Sequence, residues 1–151
     1  MSPEPGTGVG LRTGLDVPPL ERTIGLPDMV AYAGATWDWH RLHYDVDFVR
    51  SRGMPAPVVD GQVLGALLVE QLQDWLGPSS FVRAVHFTFT APVLAGDTVR
   101  CEGTVTEVSD DRVEVSQRVV VVGPDGEELR VAVAPAGATV LLGTTDGPGA
   151  R

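Results

Sequence analysis

The sequence predicts an α+β fold, in which an antiparallel sheet of about five strands curls around one apolar helix. The first observation is the segment 61–76, GQVLGALLVEQLQDWL, whose first half is apolar on nearly every side. A helix of that kind must be covered on several sides. The second is that every segment after it has the alternating pattern of strands, whereas a single strand candidate precedes it.

The segments before the central helix are short. Residues 1–18 and 143–151 are rich in Gly and Pro and lack periodicity, which predicts two flexible tails around one domain at 19–142. A strand is expected at 20–25, LERTIG. A helix is expected at 26–36, where Pro27 suits the first turn, and a second short helix at 46–53.

The central helix and the strands that follow are well delimited. Asp60 is a plausible N-cap, and Gly77 followed by Pro78 ends the helix. The remaining strands are expected at 80–94, 97–108, 112–122 and 127–142, separated by turn residues. This order of elements is that of the hotdog architecture. Its sheet has an exposed edge and its cleft has little cover, so we expect a dimer that joins two sheets.

Composition excludes several function classes. The net charge is −9 and all eleven basic residues are arginine. The absence of lysine excludes Schiff-base chemistry and the P-loop lysine. Broad nucleic-acid binding is not expected from such an acidic chain. The sequence has neither a membrane span nor the pattern of a secretory signal, and its single Cys101 cannot form an intrachain disulfide, so a cytoplasmic protein is expected.

The stretch ATWDWHRLHYD, residues 35–45, concentrates functional side chains just past the first helix. Asp38 and His43 are five positions apart, which on a continuous helix separates them by roughly 140°. They can converge if the helix ends between them. A carboxylate beside an imidazole suits proton transfer near neutral pH.

Two other interpretations of this stretch stay open at the level of the residues. The carboxylate could cap a backbone amide and the histidine could pair with it at the surface. Alternatively, four potential ligands at short spacing could hold a metal: Asp38, His40, His43 and Asp45. A catalytic metal site usually draws ligands from more than one segment, which argues against the second interpretation.

The strings YAGATWDWHRLHYDVDFV, MPAPVVDGQVLGALL and FTFTAPVLAGDTV resemble the MaoC-like, or (R)-specific enoyl-CoA hydratase, family of hotdog proteins over residues 20–142. The family motif runs roughly Asp-x-Asn-Pro-Ile/Leu-His, and its catalytic Asp and His fall on Asp38 and His43 without a gap. The resemblance implies that these two residues hold the water that adds to a trans-2-enoyl thioester. It also implies that the Gly61 amide meets the thioester oxygen. His40 and Arg41 replace the usual Asn-Pro.

The resemblance implies a hydratase or dehydratase acting on a thioester of CoA or of an acyl carrier protein, with no metal or redox cofactor. Side chains near the motif are expected to line the acyl pocket, namely Trp37, Trp39, Tyr44 and Val59. Two alternatives remain: a non-catalytic or co-catalytic subunit of a heteromeric dehydratase, and a hotdog acyl-CoA thioesterase. Asp60 would repel a developing oxyanion at Gly61 unless its carboxylate turns away to cap the helix.

Overall fold

Five antiparallel strands form one sheet in the order β1-β3-β4-β5-β2 in a computed structural model that describes residues 10–143. The strands are β1 Asp16–Thr23, β2 Phe81–Phe89, β3 Thr98–Val108, β4 Arg112–Val122 and β5 Glu128–Leu141. The helices are α1 Leu26–Thr36, a 3-10 helix Arg41–His43, α2 Val46–Ser51 and α3 Gly61–Leu76. The predicted α+β fold, a curled sheet around one central helix, is confirmed.

The central helix begins and ends where its caps predict. Asp60 Oδ1 accepts a hydrogen bond from the Gln62 amide at 2.9 Å, which satisfies one of the free donors of the first turn. Gly77 follows Leu76 with a positive φ of 80°, a backbone conformation that glycine adopts at little cost. Its amide donates to the Gln73 carbonyl and closes the helix.

The first strand is longer than predicted. β1 begins at Asp16, so its first three residues were wrongly assigned to the N-terminal tail. Val17 pairs with Gly103 of β3 and is buried. Pro18 and Pro19 follow at an irregularity of the edge strand, where a missing amide donor is tolerated. Of the predicted tails, residues 1–9 and 144–151 lie outside the described residues.

The core lies between α3 and the face of the sheet that curves around it. Leu68 and Leu72 of the helix are fully buried, and so are Val99, Val119 and Val133 of three successive strands. Burial of side chains this size contributes about 1.5–3 kcal/mol each. Among residues 10–143, no helix combines the length and the apolar character needed to cross a bilayer.

Candidate active site

The segment after α1 is bent by its backbone conformation. Trp37 follows the last helical residue with φ 59° and ψ 27°, in the left-handed region, which stops the helix before Asp38. The chain then makes the single turn of 3-10 helix that contains His43. Asp38 and His43 therefore do not sit on one continuous helix, and their side chains approach each other.

Three side chains from two separate segments meet at one small pocket. Asp38, His43 and Asp60 each offer an oxygen or nitrogen atom, and these atoms lie within 4.8 Å of one another. The pocket is lined by Met29, Tyr32, Ala33, Asp38, His43, Asp60 and Val63. The pair singled out in the sequence is brought together, and Asp60 joins it from the N-terminus of α3.

The ring of His43 is held by the neighbouring loop. Its Nδ1 lies 2.7 Å from the carbonyl oxygen of Val58, an atom that can only accept. Nδ1 therefore carries the proton, and Nε2 is free to accept one. The amide of Val58 in turn donates to the Leu42 carbonyl at 3.0 Å, which fastens the two segments together.

Asp38 is exposed, and its carboxylate is oriented by its own turn. Oδ1 accepts a hydrogen bond from the His40 amide at 3.1 Å. This local bond is the capping interpretation considered for the sequence, but it leaves the second oxygen available. Asp38 thus combines the local cap with a position at the pocket.

The N-terminus of α3 presents an amide beside this pocket. Gln62 and Val63 donate to Oδ1 and to the carbonyl of Asp60, while within residues 10–143 the Gly61 amide has no acceptor. A Cβ on Gly61 would lie 2.3 Å from Cζ of Phe89, so a larger residue here would displace that ring. An uncommitted amide at a helix N-terminus is a suitable donor for a developing negative charge.

The side chains expected to line the pocket do not do so, and this prediction is corrected. Trp37 and Trp39 are 80% and 44% exposed, and the Trp39 ring lies beside Gly34 of α1, where an added Cβ would be 3.7 Å from it. Tyr44 packs edge-to-face on Trp39, with ring centroids 5.8 Å apart. Val59 is buried in the core, where its amide bonds to the Val93 carbonyl.

Sequence reasoning missed the lining that α1 supplies. Met29, Tyr32 and Ala33 follow one another at helical spacing of three and four residues, so they share the face turned to the pocket. That periodicity could have identified them. Burial raises the pKa of Tyr32 above its ordinary value, and the negative charge of Asp60 raises it further. The pocket is thus partly apolar and carries the charge of Asp60.

The metal-ligand set considered for the sequence does not converge. His40 Nδ1 accepts from the Leu42 amide, and Asp45 caps α2 and pairs with Arg41. Within the described part of the chain, the cluster of Asp38, His43 and Asp60 could hold a divalent ion, with ligands from two segments.

This chain combines a hotdog fold with an Asp/His pair that faces the N-terminus of α3. The comparison with protein families identifies the class that has this combination. Residues 12–125 match the family model described as MaoC like domain, and the chain is a member of that family. It is 30% identical over 94 residues to an (R)-specific enoyl-CoA hydratase of Aeromonas caviae, covering 62% of this chain and 70% of that protein.

Two further comparisons agree with this membership. The chain is 31% identical over 87 residues to the 3-oxo-4,17-pregnadiene-20-carboxyl-CoA hydratase beta subunit of Mycobacterium tuberculosis (strain ATCC 25618 / H37Rv), over 58% of this chain and 67% of that protein. The solved structure of an (R)-hydratase from A. caviae involved in PHA biosynthesis superimposes with a TM-score of 0.77 at 27% identity. That superposition covers 89% of this chain and 99% of the other.

Proposed function

We propose that this protein reversibly hydrates a trans-2-enoyl thioester of CoA to a 3-hydroxyacyl thioester. The observation that carries the proposal is the meeting of Asp38 and His43 at a pocket beside the uncommitted Gly61 amide. Both similar proteins named above are CoA hydratases, which supports the same reaction class and carrier.

In the proposed reaction, one water is held between the free carboxylate oxygen of Asp38 and Nε2 of His43. Its oxygen bonds to Cβ of the substrate as the Cα=Cβ π electrons move toward the thioester carbonyl, and the pair takes up one of its protons. The Gly61 amide donates to the oxygen on which the enolate charge develops. Delivery of a proton to Cα restores the carbonyl and completes the addition of one water.

Asp60 has two effects in this proposal. Its Oδ1 completes the cap of α3, which fixes the turn that presents Gly61. Its charge also lies near the place where the enolate oxygen forms, because Asp60 lines the same pocket as the pair. The carboxylate therefore opposes part of the stabilisation that the amide supplies.

The direct test is hydration of crotonyl-CoA and of longer enoyl-CoA thioesters by the wild type, Asp38→Asn and His43→Ala. Loss of either group should lower kcat by about 10²–10⁴-fold, the usual contribution of a positioned acid or base. His86→Ala is the matched control, because this histidine is exposed on β2 and outside the pocket. Wild-type rates in both site variants would reject the proposal.

The second candidate function is that of one subunit in a heteromeric dehydratase. It is favoured by the exposed apolar side chains Phe81 and Phe89 of β2, an edge strand that has no second neighbour among residues 10–143. One of the similar proteins is itself named a beta subunit. We propose that a second hotdog chain, identical or different, covers this edge.

The mass of the complex purified from its native host separates these assemblies. A homodimer that hydrates enoyl-CoA would remove the heteromer, whereas a tightly bound second chain needed for activity would establish it. The hydration assay with enoyl-CoA should also measure the release of free CoA thiol. Thiol release without a hydroxyacyl product would instead indicate a thioesterase.

A further inference from the structure

The residues His40 and Arg41 stand between the two members of the Asp38/His43 pair. We propose that they are positioning residues, which hold that pair in place through one side-chain cap and one ion pair. This inference rests on the proposed hydratase function for its catalytic meaning. The hydrogen bonds and the ion pair on which it is based concern only the 3-10 helix and its contacts with α2.

His40 contacts the segment on both sides through three hydrogen bonds. Its amide donates to Asp38 Oδ1 at 3.1 Å, and its carbonyl accepts from the His43 amide at 3.0 Å. Its ring atom Nδ1 accepts from the Leu42 amide at 3.1 Å. The first two bonds involve the backbone of residue 40, so any residue except proline could make them. The third depends on the side chain.

That third bond matters because the 3-10 helix has only three residues. Its first amides have no helical acceptor, and a side chain at the N-cap must satisfy them. Histidine is not among the preferred caps, but its Nδ1 acceptor takes the position that the oxygen of Asn or Asp would occupy. His40 therefore acts as an N-cap in place of the Asn of the resembling motif.

Arg41 fastens the same turn to the next helix. Its guanidinium bonds to Asp45 Oδ2 at 2.8 Å, and its central carbon lies 4.6 Å from the ring centroid of Phe48. The other oxygen of Asp45 accepts from the Phe48 amide at 2.9 Å and caps α2. The Arg41 side chain thus ties the 3-10 helix to α2, and these contacts restrain a turn that in the motif contains proline.

The test compares His40→Ala, His40→Asn and Arg41→Ala with the wild type. Arg112→Ala is the matched control, since Arg112 also forms exposed ion pairs, with Glu107 and Glu114, at the far β3–β4 turn. Two measurements are made: the rate of amide hydrogen exchange at Leu42 and His43, and the steady-state kinetics of crotonyl-CoA hydration, which give kcat and KM. Thermal midpoints show that each variant is folded.

We expect exchange at both amides to accelerate about tenfold in His40→Ala, with a similar fall in kcat and an unchanged KM. His40→Asn should restore both quantities to within about twofold, because Asn is a strong cap. Arg41→Ala should also accelerate the exchange and should lower kcat about threefold. Arg112→Ala should change neither the exchange nor kcat.

Exchange that stays at the wild-type rate in His40→Ala, or that His40→Asn fails to restore, would overturn the capping role. Exchange in Arg41→Ala equal to that in Arg112→Ala would overturn the role of the ion pair. These results do not depend on catalysis. An inactive wild-type protein with the expected exchange pattern would reject the hydratase proposal and leave the positioning of the turn established.

Discussion

The two halves of α3 are built differently, although they belong to one continuous helix. The first half carries Gly61 and Gly65, against which the rings of Phe89 and Phe87 pack so closely that an added Cβ would clash. The second half, residues 69–76, is anchored by Leu72, which is fully buried. Residues 61–68 are called the site half below, and residues 69–76 the anchored half. The comparison shows how a helix fixed at one end can present an uncommitted amide at the other.

The anchored half also contains a buried polar network. Gln71 is 2% exposed and donates through Nε2 to the carbonyls of Pro18 and Cys101. Gln117 of β4 donates through Nε2 to Gln71 Oε1 at 2.9 Å and to the Leu68 carbonyl at 3.0 Å. The network joins the helix to strands β1, β3 and β4, so the helix cannot slide without breaking several buried bonds.

The largest expected effect in this comparison is the loss of that network. Gln71→Leu should reduce the free energy of unfolding by about 3 kcal/mol, because it removes the Gln71 donor from the carbonyls of Pro18 and Cys101 and leaves one amide N–H of Gln117 without its acceptor. Urea denaturation provides the measurement. Gln73→Leu, an exposed position on the same helix, is the matched control and should change stability by less than about 0.5 kcal/mol.

The rate at which the Cys101 thiol is labelled is an independent measure of how readily this region opens. Burial, followed by the negative charge of Glu70, raises its pKa to about 12, so the folded protein should not react with a thiol reagent at neutral pH. Labelling should therefore follow opening of the structure and accelerate in Gln71→Leu. Equal labelling rates in Gln71→Leu and Gln73→Leu would show that the network does not anchor the helix.

An intermediate effect is expected from the two glycines of the first half. Gly65→Ala places a Cβ 2.5 Å from Cζ of Phe87, a half-buried ring, and should cost about 1–2 kcal/mol of stability after the gain in helix propensity. Gly61→Ala meets Phe89, which is 53% exposed and can swing away, so its cost should stay within about 0.5 kcal/mol. Thermal unfolding of both variants tests this order. The reverse order would mean that Phe89 is the more tightly held ring.

The sequence predicted the extent of α3 better than the contacts that its site half makes. The apolar run from Val63 to Val69 and the caps at Asp60 and Gly77 are local signals, and they determined the helix and its ends correctly. The long strands followed from their alternation for the same reason. The approach of Asp60 to Asp38 and His43 joins segments distant in the chain, and no local pattern encodes such a contact.

The error over the aromatic side chains has a comparable origin. Trp37 and Trp39 flank Asp38 in the sequence, which suggests a shared pocket. The left-handed conformation of Trp37 ends α1 and turns the chain. Trp37 is then 80% exposed and Trp39 lies beside Gly34, while a different face of α1 lines the pocket. A non-glycine residue in that conformation is uncommon and is not evident from local propensity.

The smallest expected effect concerns the charge that the site half carries. Asp60→Asn should keep the cap, since Asn accepts the Gln62 bond equally well, and should remove the negative charge. The pKa of Tyr32 should then fall toward its ordinary value but stay above it, because burial is the larger cause of the rise. In a Tyr44→Phe background Tyr32 is the sole tyrosine, so its tyrosinate absorbance can be titrated directly.

The same substitution tests the electrostatics of the proposed reaction. If the enolate oxygen forms at the Gly61 amide, removing the neighbouring carboxylate should raise kcat for crotonyl-CoA hydration about twofold. A lower pKa of Tyr32 with a reduced kcat would instead mean that Asp60 assists the reaction, for example by orienting the pair or holding a cation with it. An unchanged pKa of Tyr32 would place the carboxylate of Asp60 away from this wall of the pocket. Either result would revise the role of the site half of α3 and leave that of its anchored half unaffected.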